Sequence, residues 1–226
     1  MTTLLITIVP SLIILSFFFF SDKFKEPKQT IAIVFFLGIL ICLPAGIIND
    51  FMYETFNDGS DFSERLSASF LSAAWSEELL KFIILYFIVL RRNEFNEPMD
   101  GIVYGVTVSL GFATYENYDY VFRLAENWEI DPYQMAIWRS YSAVPMHGLA
   151  GCVMGFYFGM YAFSANKKYL ILCLLIPFII HGFYNFLPYP YHFMVLGILI
   201  VYSITLHSQF KKMQLMKNKE SEKKKI

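Results

Sequence analysis

The stretch LSASFLSAAWSEELLKFIILYFIVL, residues 66–90, decides the reading of the whole chain. It is a continuous apolar run long enough to cross a bilayer as a helix, yet Glu77, Glu78 and Lys81 stand near its middle. Working outward, comparable apolar runs cover residues 4–20, 30–48, 101–122, 137–163, 169–187 and 191–206. None alternates with the period of two that a membrane strand requires, so sheet is excluded in favour of helix. The fold class is therefore all-α, a polytopic membrane helix bundle of about seven transmembrane helices. The first run has no basic leader or small-residue cleavage site and reads as a retained helix. The last follows the turn Pro188-Tyr189-Pro190 and is the shortest.

Composition agrees. Of 226 residues 56% are apolar, more than a soluble domain can bury, and the mean hydropathy is +0.47. The net charge of −1 hides alternating blocks, so partners are read from placement rather than from the total. Lys23, Lys25 and Lys28 follow the first run, Arg91 and Arg92 the third, Lys167 and Lys168 the fifth, and a lysine-rich tail the seventh. The other connections are acidic: Asp50, Glu54, Asp58, Asp61 and Glu64, then Glu126, Glu129 and Asp131. Under the positive-inside rule this predicts a cell-membrane protein with its N-terminus outside and its C-terminus cytoplasmic. The chain divides into two N-terminal spans with an acidic outer loop (1–65), a four-helix core (66–188), a last span (189–210) and a basic cytoplasmic tail (211–226). The tail reads as a topology anchor beside membrane lipid; no nucleic-acid partner is expected. Cys42, Cys152 and Cys173 lie in apolar runs without metal-ligand spacing and carry no chemistry.

Ionisable groups inside a bilayer cost about 2.5–3.5 kcal/mol each on insertion scales, so they are candidates for function. Four sets occur, one on each of the third to sixth runs. Glu77 and Lys81 share a helical face and can pair, while Glu78 points about 100° away. Two adjacent carboxylates in a low dielectric cannot both ionise cheaply, as suits a general base or acid. Glu116, with Asn117, closes the fourth run. His147 follows Pro145, and Gly148, Gly151 and Gly155 leave room for a neighbouring helix. His181 and Asn185 are four apart and can aim donors at one point, as an oxyanion site needs. Each set has a bland reading as buried pairing, interfacial charge or helix–helix glue. Depth argues for convergence: at ~1.5 Å per residue Glu77 lies roughly 15–17 Å below the outer surface, His147 similarly, His181 at about 10 Å and Glu116 within about two turns of it. A water-accessible cleft opening outward accounts for this. His192 and His207 fall outside it.

The ordered motifs Glu77-Glu78-x-x-Lys81, Phe112-x-x-x-Glu116-Asn117, His147-x-x-x-Gly151 and His181-x-x-x-Asn185 resemble the PrsW family of membrane proteases, which is similar to the wider CAAX prenyl protease and bacteriocin-processing group. The resemblance spans residues 70–188. It implies intramembrane cleavage of a single-pass membrane protein, such as an anti-sigma factor, on the extracytoplasmic side. Glu77 or Glu78 with His147 would then act on water, and His181 with Asn185 would support the oxyanion. Where the wider group carries Arg in its first motif, Lys81 stands here at shorter spacing. Three readings follow. The leading one is a glutamate-type endopeptidase that needs no cofactor. The second is the same enzyme with zinc on Glu78, His147 and His181, although no HExxH motif demands a metal. The third is a proton-coupled transporter, receptor or immunity protein that does not cleave.

Overall fold

The computed structural model describes residues 1–223, with side chains described as far as Met216. Among the described residues every regular element is helical. The chain runs through α1 (Thr2–Ser21), α2 (Lys28–Phe56) and α3 (Asp61–Leu66), then a π-helical segment (Ser67–Ala74) that passes directly into α4 (Trp75–Phe87). After a 3₁₀ turn come α5 (Pro98–Asp119), a second π segment (Tyr120–Leu124), α6 (Ala125–Asn127), α7 (Pro132–Tyr141), α8 (Ala143–Ser164), α9 (Lys167–Phe186) and α10 (His192–Lys223). The seven apolar runs map onto these helices, apart from single residues at their breaks and ends. The side chains of Lys217, Lys219 and Lys223, and residues 224–226, lie outside the described residues, and most of the basic tail expected from the sequence falls there.

Five helical stretches are long and apolar enough to cross a membrane by themselves: Thr2–Ser21, Lys28–Phe56, Pro132–Ser164, Lys167–Phe186 and His192–Met216. The two runs that fall short of that measure are those of α4 and α5, and they hold five buried or half-buried charges, Glu77, Glu78, Lys81, Glu116 and Asp119. The rest of the bundle shelters them. Helix α5 is the centre of the molecule, buried along almost its whole length against α1, α2 and α8. Its start is set by Pro98 in the first turn and by Asp100, whose Oδ2 accepts from the amides of Asn96 and Glu97 at 2.8 Å each.

The α5–α8 contact depends on glycine. A Cβ built on Gly155 would collide with the Gly101 carbonyl oxygen, and one on Gly105 with that of Gly151. The small residues noted on the fifth run thus have a definite partner, the preceding span, and the two backbones approach as closely as helices can. The fifth run is not one uninterrupted helix. It breaks at Ser142 (φ −121°, ψ −76°), which puts Pro145 in the first turn of α8, where its missing N–H costs nothing. His147 follows within the next turn, fixed in direction by that restart.

Candidate active site

The four polar sets meet. Glu77, Glu78 and Lys81 on α4, His147 on α8 and His181 on α9 are all buried, at 3% exposure or less. Each arrives by a local device. The π segment before α4 packs against α9, and Gly182 lies so close to the Phe70 ring that a Cβ there would overlap it. That contact brings His181, the preceding residue, onto α4. Asn49 of α2 is hydrogen-bonded to Ser76, and Ser72 Oγ donates to the Asn49 carbonyl oxygen at 2.8 Å, which pins α2 to the same turn.

The sharing of charge departs from simple helical spacing. Lys81 Nζ lies 2.7 Å from Glu78 Oε1 but 3.8 Å from Glu77 Oε2, so the i,i+3 partner is the nearer. The reason is tertiary: Lys81 Nζ also lies 3.1 Å from His147 Nδ1, and His181 Nδ1 is 2.9 Å from the same Glu78 oxygen. An ammonium can only donate, so His147 Nδ1 accepts and its Nε2–H faces Glu116 Oε2 at 3.0 Å. In the same way the Nδ1–H of His181 donates to Glu78, which turns the lone pair of Nε2 toward Glu77 Oε2, 4.0 Å away. Glu77 Oε2 is buried and has no hydrogen-bond partner among the described residues. Two imidazoles stand edge to face with centroids 5.0 Å apart.

These groups line a cavity of about 620 Å³, whose wall includes Glu77, Glu116, Arg139, His147, His181 and Asn185. Glu78 and Lys81 lie behind that wall. Asn185 is exposed on the same cavity one turn beyond His181, and Asn117 is buried, donating to the Thr7 carbonyl oxygen of α1 at 2.7 Å. His192 and His207 stay away: His207 contacts Ser21 at 2.8 Å, and His192 stacks beside Phe193.

One residue of the site went unread in the sequence. Arg139 on α7 reaches Glu116 Oε2 at 2.6 Å and Asn117 Oδ1 at 2.9 Å, and its guanidinium sits 3.7 Å from the Tyr120 ring centroid. A signal existed: Glu116 closes one span and Arg139 opens the next, so antiparallel neighbours put opposite charges at one depth.

For a metal, the donors within reach are one atom each of Glu77, His147 and His181, all within 4.8 Å of one another. Two imidazole nitrogens and a carboxylate are a donor set that catalytic zinc accepts, and the Glu77 oxygen, without a hydrogen bond and with the Lys81 ammonium 3.8 Å away, is available as a ligand atom. Glu78 gives Oε1 to both Lys81 and His181, its buried Oε2 having no hydrogen-bond partner among the described residues, and takes the supporting place of a carboxylate that orients a ligating histidine. Both nitrogens of His147 are engaged, so ligation there displaces Lys81 or Glu116.

Comparison with known proteins places this geometry in context. The model of the PrsW family, described as an intramembrane metalloprotease family, matches residues 26–208. The chain is 39% identical over 183 residues to the protease PrsW of Geobacillus kaustophilus, covering 80% of this chain and 76% of that protein. It is 38% identical over 184 residues to that of Bacillus subtilis, covering 80% and 79%. To that of Clostridioides difficile it is 31% identical over 207 residues, covering 89% and 85%. No solved structure matches the chain.

Proposed function

Because the chain belongs to the PrsW family of intramembrane proteases, we propose that it hydrolyses a peptide bond of a single-pass membrane protein, of the anti-sigma-factor kind, using water activated at Glu77. The observation that carries this reading is the convergence of two unbonded acceptors, Glu77 Oε2 and the lone pair of His181 Nε2, 4.0 Å apart on the wall of a cavity large enough for a short extended peptide. Glu77 accepts the proton of the attacking water and passes it to the leaving amine. Glu78 fixes the tautomer of His181, and Lys81 keeps Glu78 ionised so that it can do so. Glu116, held by Arg139, does the same for His147 from the other side. Asn185, at the exposed end of the wall, offers an amide donor to a carbonyl oxygen developing charge.

Glu77, His147 and His181 are the residues that would hold a zinc ion. When bound, such an ion supplies Lewis-acid polarisation of the carbonyl and a water of lowered pKa. The alternation of basic and acidic connections supports an orientation with the N-terminus outside, the C-terminus cytoplasmic and the cavity open to the extracytoplasmic side of the cell membrane.

The test is cleavage of a single-pass substrate in proteoliposomes by wild type and Glu77→Gln, beside metal analysis of both proteins. Glu77→Gln is expected to lower turnover by about 10²–10⁴-fold while the protein stays folded and inserted. Near wild-type cleavage by that variant would refute the role given to Glu77. Zinc retained by wild type and lost from Glu77→Gln and His181→Ala supports the metal-dependent form. Full activity of metal-stripped wild type removes the metal and leaves the glutamate mechanism.

A further inference from the structure

A second group of buried acids lies at the opposite end of the bundle. Asp22 ends α1, Glu26 stands in the connection to α2, and Asp100 lies in the first turn of α5; their exposures are 1%, 5% and 0%. Asp100 and Glu116 are on the same helix, so roughly 24 Å separates this group from the active site. Each of the three acids offers an oxygen, and these oxygens lie within 4.8 Å of one another.

Hydrogen bonds account for only part of the group. Asp22 Oδ1 accepts from Gln214 Nε2 at 2.7 Å and from the Phe24 amide at 3.0 Å, and Tyr104 donates its hydroxyl to Glu26. Asp100 Oδ2 is taken by two amides. Asp22 Oδ2 and Asp100 Oδ1 are left buried and without a partner. Among the described residues no lysine or arginine nitrogen comes within ion-pair distance of Asp22, Glu26 or Asp100. Lys25 gives its ammonium to the main-chain oxygen of Asp22 at 2.8 Å.

We propose that Asp22, Glu26 and Asp100 form a site for a hard divalent cation of the magnesium or calcium class, which clamps the α1–α2 connection to the start of α5. The donors are oxygen only, which favours such ions and sets this site apart from the histidine-bearing set at Glu77. Two orphaned carboxylate oxygens are the ligand atoms that such an ion needs, and water completes its shell. Gln214, bonded to Asp22, ties α10 to the same point, so cation binding reports on three separate segments of chain. The role is structural and independent of the protease reading.

The experiment is thermal unfolding of chelator-stripped protein in detergent, titrated with Mg²⁺, Ca²⁺ or, at matched ionic strength, K⁺. A saturable rise in midpoint of several degrees with one divalent ion and not with K⁺ is expected. Asp100→Asn keeps an oxygen for the two amides but loses the charge, and should weaken the response at least tenfold. Glu77→Gln/His181→Ala should keep it, which separates this site from the active site. Mn²⁺ titration of that double variant should find one ion per chain, displaced by Mg²⁺ or Ca²⁺, and this holds the test open should Asp100→Asn not fold. No saturable response in wild type, a response unchanged in Asp100→Asn, or one lost in Glu77→Gln/His181→Ala would each overturn the proposal. A metal-insensitive wild type that Asp100→Asn stabilises would show that the acids share protons instead.

Discussion

The two buried acid clusters solve one physical problem in opposite ways. Around the cavity, Glu77, Glu78 and Glu116 are met by cations that the chain itself supplies, Lys81 and Arg139, and by two imidazoles. At the other end, Asp22, Glu26 and Asp100 are met only by neutral donors among the described residues, and two carboxylate oxygens stay unpartnered. A protein that brings its own counter-charges fixes side chains and tautomers in advance; of its two unbonded carboxylate oxygens, on Glu77 and Glu78, only that of Glu77 belongs to the cavity wall and is open to chemistry. A protein that does not bring them must take a cation or a proton from outside. The first arrangement suits a reaction centre; the second suits a clamp.

The hardest way to break this contrast is to remove a built-in cation. Lys81→Met keeps the volume but strips the charge from between Glu78, Glu77 and His147, and buried carboxylates left without a partner cost about 3–5 kcal/mol. Thermal unfolding in detergent should show that loss, and cleavage should fall with it because His181 loses the ionised Glu78 that orients it. Asp22→Asn, measured alongside in metal-free buffer, should instead hold or raise the midpoint, since it relieves repulsion. Equal losses for both variants would mean that the two clusters are not different in kind.

A subtler break concerns position rather than charge. Arg139→Lys leaves a positive charge beside Glu116 but gives up the fork that holds Glu116 and Asn117 together and stacks on Tyr120. Because Glu116 directs His147, a shift of an ångström or so is expected to lower kcat by about 10²-fold with a much smaller change in KM and little loss of stability. Arg139→Gln should be worse than Arg139→Lys. If Arg139→Lys acts chiefly on KM, the residue touches substrate and the positioning argument fails.

These two regions also mark where the sequence could be read and where it could not. The helices were legible because apolar runs and alternating loop charges are local properties of the chain. The cavity was legible in outline for the same reason: Glu77, Glu78, Glu116, His147 and His181 are polar where the membrane makes polarity costly, and their depths agreed. The choice of Glu78 rather than Glu77 as the nearer partner of Lys81 was not legible, because His147 and His181 decide it from other helices. Arg139 went unread because its partner Glu116 comes from another helix, and only the packing of α7 beside the end of α5 brings them together. Asp22, Glu26 and Asp100 were invisible altogether. They sit in connections, where charge is expected, among lysines and arginines that made those connections look simply basic. Only the fold turns them inward.

The smallest effects should come from the glycines that set the distance between the two clusters. Gly155 of α8 faces Gly101 of α5, one residue from Asp100, so a methyl group there has nowhere to go except into backbone. Gly155→Ala is expected to cost about 1–3 kcal/mol by overpacking. The strain should be felt unequally. His147 lies eight residues back along α8, roughly 12 Å away, whereas Asp100 is beside the contact. Cleavage per folded molecule should therefore change less than twofold, while the divalent response at Asp100 weakens. Gly197 on α10 has nothing within 4 Å of a built Cβ and serves as the control. Gly197→Ala should raise stability by about 0.5–1 kcal/mol, since alanine loses less backbone freedom in a helix. Measured side by side, the two alanines separate a propensity effect, which has one sign everywhere, from a spacing effect, which reverses it only where α5 and α8 touch. A stabilising Gly155→Ala would mean that α8 can move away from α5 at no cost, and then the spacing of neither cluster is held by that contact.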